Sequence, residues 1–71
     1  MSQTLKLLVL AFLQNLPESP FEQFNKAFEL YKQCPNKNKS AEMSYNRRGY
    51  NEQSLKNLLY DLQKINNITD V

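Results

Sequence analysis

Apolar positions along the chain recur at helical spacing in three places. Leu5, Leu8, Val9, Phe12, Leu13 and Leu16 form one broad face of a helix predicted over 3–15. Ser2 is placed to cap its start, and Pro17 disfavours helix at the preceding residue and stops it. Leu7 and Leu10 fall on the opposite side of the same helix, near Gln3 and Gln14. A helix that is greasy on two sides is expected to be central in the fold or to meet a partner, and Leu7 and Leu10 mark that partner or dimer face.

The second helix is announced by "SPFE" at 19–22. Ser19 is the cap, Pro20 occupies the first helical position and Glu22 completes a capping box. Phe21, Phe24, Phe28 and Tyr31 follow at helical spacing with Ala27 and Leu30 beside them, a stripe expected to be core. Pro35 ends this helix near Gln33, giving a span of 20–33. The last periodic run is Leu55, Leu58, Leu59, Leu62 and Ile65, on a helix predicted over 51–65 with Asn51 as cap and Glu52 in the first turn.

Between these helices lie a polar stretch, "CPNKNKS" at 34–40, and a weaker helical segment over 41–48. In the weaker segment Ser40 caps, Met43 faces inward and Gly49 supplies the left-handed closing residue. No run alternates in the way a half-buried strand would. The pattern therefore predicts an all-α single small domain over 1–71, a compact three- to four-helix bundle.

Composition narrows how such a bundle is held and what it can do. A 71-residue chain buries only roughly 60% of its unfolded surface. Cys34 is the sole cysteine, so no internal disulfide supports it, and there is no histidine. Stability must come from helix packing or association. One thiol without histidine makes neither a zinc site nor an activated nucleophile, and a single glycine makes no phosphate loop. The carboxylates are scattered singly. A non-enzymatic chain without cofactor or metal is expected.

The apolar run "LLVLAFL" at 7–13 lacks both a basic lead beyond Lys6 and a small-residue cleavage pattern, and it is too short to span a bilayer. The sequon at Asn67–Thr69 then has no export signal to give it meaning. A free cysteine fits a reducing compartment, so the expected location is cytoplasmic with no membrane contact.

The net charge is +2, and it is unevenly placed. Over 1–33, Lys6, Lys26 and Lys32 balance Glu18, Glu22 and Glu29; between 35 and 49, Lys37, Lys39, Arg47 and Arg48 face only Glu42. On the last helix, Gln53, Lys56, Asn57, Tyr60 and Lys64 fall within one arc opposite the leucines, with Glu52 and Asp61 at its edges. Asn and Gln suit adenine edges, Lys suits guanine or phosphate, and Tyr stacks on bases. Arg47 and Arg48 precede the helix, where phosphate clamps are useful.

A short helix, Gly49 at the turn, Tyr50 next, Asn51 as cap, then Leu55 and Leu58 inward is similar to the helix-turn-helix pattern over about 20 residues. It departs from that pattern at Tyr45, where a small residue is usual, and at Ser44 and Arg48, where apolar residues are usual. Those departures argue against close right-angled packing.

The first functional expectation is a nucleic-acid-associated regulator using this basic face: Arg47, Arg48, Gln53, Lys56, Asn57, Tyr60 and Lys64. The alternative is a protein-binding adaptor or inhibitor, of the kind a phage or other mobile element encodes, directed at a nucleic-acid enzyme such as a CRISPR-type defence nuclease. A partner in either case is a nucleic acid, a protein or a nucleoprotein, and Leu7 and Leu10 also allow a homodimer. Abundant asparagine and lysine with one glycine fit the AT-rich coding common in mobile elements.

Overall fold

The computed structural model describes residues 3–68, with side chains through Asn67. It contains four helices and, among the described residues, no strand: α1 (Gln3–Gln14), α2 (Pro20–Gln33), α3 (Lys39–Arg48) and α4 (Glu52–Ile68). The all-α bundle read from the pattern is therefore the fold. Ser2, expected to cap α1, and Thr69 of the sequon lie outside the described residues. No helix among those described is long and apolar enough to cross a membrane.

Each start follows from local chemistry. Ser19 takes an extended conformation and its hydroxyl accepts from the Glu22 amide at 3.4 Å, with Pro20 opening α2. At α4 the side-chain oxygen of Asn51 accepts from the Ser54 amide (2.8 Å), and Ser54 Oγ accepts from the Asn51 amide (2.8 Å), a reciprocal capping box. The Ser54 hydroxyl can donate to the Asn51 carbonyl at 2.9 Å or the Gly49 carbonyl at 3.0 Å. Gly49 has φ 71°, and a Cβ built there would meet nothing within 4 Å. Glycine is needed at this turn for its backbone angle alone, not for space.

α3 begins two residues before its expected start, because Asn38 and not Ser40 is the cap. Its side-chain oxygen accepts from the Ala41 amide at 3.2 Å. Tyr31 holds Asn38 in place: the Asn38 amide donates to the phenol oxygen at 3.2 Å, and the phenol lies 3.3 Å from the Asn38 carbonyl. The polar stretch is tied at a second point. Lys37 Nζ donates to the carbonyls of Lys32 (2.8 Å) and Cys34 (3.2 Å), closing the C-terminus of α2, where a cation suits the helix dipole.

α2 and α4 form the most extensive helix pair; α1 lies against both, chiefly α4, and α3 touches both. Phe24, Ala27, Tyr31 and Cys34 from α2 and its C-cap meet Leu58, Leu62 and Ile65 from α4, with Leu5 and Val9 from α1. The molecule measures 32 × 27 × 15 Å. Every helix keeps a solvent face, with exposed residues along each of the four.

Side-chain exposure corrects the reading of α1 as a central helix. Only Leu5 and Val9 are buried, Phe12 and Leu13 are half-buried, and Leu8 and Leu16 of the expected inner face are exposed. α3 is corrected more sharply. Met43, expected inward, is 60% exposed, and Tyr45 takes its place as the buried residue of α3, at 6%.

Tyr45 is the centre of an aromatic cluster. Its ring lies edge-on to Phe24 (6.5 Å), Phe28 (6.3 Å) and Tyr31 (5.7 Å). Tyr50, in the turn, is edge-on to Phe21 and Phe24, each at 5.9 Å. The α2 stripe thus receives one tyrosine from α3 and one from the turn, and this docks the α3–turn–α4 segment on α2.

Candidate nucleic-acid interface

Burying the Tyr45 ring leaves its hydroxyl needing a partner, and Asp61 on α4 supplies one. The phenol donates to Asp61 Oδ2 at 2.6 Å. The bond fixes α3 to α4 across 16 positions of sequence and turns the carboxylate of Asp61 toward the core. The acid at the edge of the α4 arc is thereby engaged internally.

Burial first, then this hydrogen bond and the negative charge of Asp61, push the Tyr45 phenol well above its ordinary range. Burial likewise raises the phenol of Tyr31 and the thiol of Cys34, the latter partly offset by the positive charge of Lys37. All three groups are held neutral in the folded state, so unfolding releases protons more readily. Stability is expected to be fully present below about pH 9 and to fall as pH climbs, first through Cys34 and then, above about pH 10, through both tyrosines. Urea midpoints measured over an alkaline series check this: a flat profile from neutral pH to pH 11 contradicts it, and Tyr45→Phe should remove part of the slope.

The positive charge of the middle of the chain divides into two groups. Lys37 is largely enclosed, capping α2, and both it (3.8 Å) and Lys39 (4.0 Å) approach Glu42 Oε1. Lys39 nevertheless keeps 81% of its side chain exposed, and Arg47 and Arg48 are exposed in the last turn of α3, where cations suit the dipole, so these three carry the outward share of the field.

Arg48 borders two depressions. One lies on the outer face of α3, lined by Ser40, Met43, Ser44, Arg47 and Arg48, with a volume near 260 Å³. The other, near 120 Å³, is where the end of α3 meets the start of α4; Arg48, Ser44, Gln53 and Asn57 are among its lining residues. Gln53 Nε2 donates to Asn57 Oδ1 at 3.0 Å, so the two amides are paired at the depression that Arg48 also lines. Lys56 and Tyr60 follow along the exposed face of α4. Tyr60 is 64% exposed and shares a shallow depression of about 280 Å³ with Gln63, Lys64 and Asn67.

The chain matches no known family model, no curated protein and no solved structure. What the face can do therefore rests on its side chains. Of the expected site residues, Arg48, Gln53 and Asn57 meet at one depression, Arg47 and Arg48 at another, and Tyr60 and Lys64 at a third. Lys56 is exposed on the same helix face. Leu7 and Leu10 are also exposed, at 60% and 40%, but on α1 and apart from this surface.

Ser40, Met43 and Ser44 are the rim residues that sequence reasoning missed. Their spacing with Arg47 was a signal, but it could be read only once Tyr45, and not Met43, defined the inner side of α3. Among the described residues no group of three or more His, Cys, Asp or Glu side chains is arranged to hold a metal ion.

Proposed function

We propose that the chain is a small non-enzymatic nucleic-acid-binding regulator that grips a polyanion with the exposed surface formed by the end of α3 and the outer side of α4. The observation that carries this reading is the grouping of Arg48 with Gln53 and Asn57 at one depression, which joins a phosphate-binding cation to two amides suited to base edges. Arg47, Lys56 and Lys64 extend the positive surface from that point.

With four cations available, counterion release sets a ceiling on salt sensitivity. The slope of log K against log salt should be no steeper than about −3.6 for a duplex and about −2.8 for a single strand. A titration of labelled nucleic acid over a salt series tests this. Micromolar or tighter binding at about 50 mM salt, weakening with such a slope, is expected; no binding at about 50 mM overturns the reading.

A second reading, a protein-binding adaptor or inhibitor, has its own observation. Leu7 and Leu10 are 60% and 40% exposed on one side of α1, an apolar surface without a partner inside the chain. If this surface pairs two copies, light scattering should give a mass that rises toward a dimer with concentration. Leu7→Ser with Leu10→Ser should return it to a monomer without loss of helicity. A monomer at every concentration removes the homodimer and leaves α1 to a different protein.

A further inference from the structure

The Tyr60 side of α4 has a chemistry of its own. Tyr60 is 64% exposed, and it has a lysine one turn before it (Lys56) and one turn after it (Lys64). The residue borders the depression shared with Gln63, Lys64 and Asn67. The side chains there are amides and an ammonium; the nearest acid, Asp61, accepts from the Tyr45 phenol and borders, with Lys64, a separate depression.

An exposed aromatic face, with cations about 6 Å along the helix on either side and amides at the rim, is the arrangement that stacks an unpaired base and holds the backbone around it. A duplex does not use it, because paired bases present edges in the grooves and hide their faces.

We propose, resting on the nucleic-acid reading above, that this surface takes single-stranded nucleic acid. One base stacks on the Tyr60 ring, Gln63 and Asn67 reach its edge, and Lys56 and Lys64 hold the flanking phosphates. Arg47 and Arg48 continue the backbone track toward α3.

The test is fluorescence anisotropy at low salt with labelled oligo(dT), oligo(U) and a duplex of equal length. It uses the full chain, Tyr60→Ala, Tyr60→Phe and the Arg47→Ala plus Arg48→Ala variant. Single strands should bind more tightly than the duplex. Tyr60→Ala should weaken single-strand binding about 5- to 150-fold, the range for loss of one stacked base. Tyr60→Phe should keep it, since the ring and not the hydroxyl does the stacking. Tyr60 is solvent-facing, so helicity should be unchanged in both.

Binding by either single strand with this dependence supports the proposal, and comparing dT with U reports which sugar the site accepts. A duplex bound as tightly as the single strands, or Tyr60→Ala binding like the native chain, overturns it. If the duplex binding is lost with Arg47 and Arg48, the broader nucleic-acid reading survives that result. Absence of binding to every strand removes both.

Discussion

Tyr45→Ala should cost about 3–5 kcal/mol from lost packing alone, as for other buried aromatic-to-alanine changes. A folded chain of this length has roughly 4–11 kcal/mol in total, at about 0.05–0.15 per residue. The variant is therefore expected to be largely unfolded or to have a sharply lowered urea midpoint by far-UV circular dichroism. The reason is specific. Tyr45 is the buried side chain of α3, it packs against three rings of α2 and α3 is joined to α4 through its bond to Asp61. Tyr45→Phe separates the two contributions. It keeps the ring and loses the hydrogen bond to a carboxylate, worth about 1.5–3 kcal/mol. A Tyr45→Ala protein as stable as the native chain would mean that α3 is not held by this cluster.

The second large effect is on binding. Arg47→Ala with Arg48→Ala removes two of the four cations on the proposed surface. Counterion release contributes about 0.9 log unit per phosphate contact per decade of salt, so at about 50 mM each contact is worth roughly tenfold and the double variant should bind roughly a hundredfold more weakly. The salt slope should also fall by about half. Both side chains are exposed, and their structural role is limited to a favourable charge at the end of α3, worth about 0.3–1 kcal/mol each. Helicity and urea midpoint should move little. Unfolding of the double variant would assign the pair to the fold and not to a ligand.

The helices that are strongly periodic were legible in the sequence. α2 spans 20–33 as the capping box and Pro35 dictate, and the leucine face of α4 is where its spacing puts it. α3 was misread in orientation because its decisive residue is polar and aromatic at once. Choosing Met43 as the inward residue follows hydrophobicity. Choosing Tyr45 requires knowing that Asp61 and the α2 rings are there to receive it, and those contacts are long-range. The cap at Asn38 was hidden for the same reason, since Tyr31 on α2 holds that residue.

The exposed face of α4 could be read from its arc of polar residues, because a leucine face fixes its opposite. The meeting of Arg48 with Gln53 and Asn57 could not, because it depends on the turn at Gly49 bringing the end of α3 beside the start of α4. The charge concentration was only half informative. Lys37 spends its charge on two carbonyls and Glu42, which no count of residues reveals.

The central claim is that one surface, formed by the end of α3 and the outer side of α4, is where nucleic acid binds. An NMR titration of the labelled chain with a short oligonucleotide tests it most directly. Amide and side-chain shifts should concentrate at Arg47, Arg48, Gln53, Lys56, Asn57, Tyr60 and Lys64 and reverse as salt is raised. Shifts that cluster at Leu7 and Leu10 on α1, or no shifts at low salt, would contradict it.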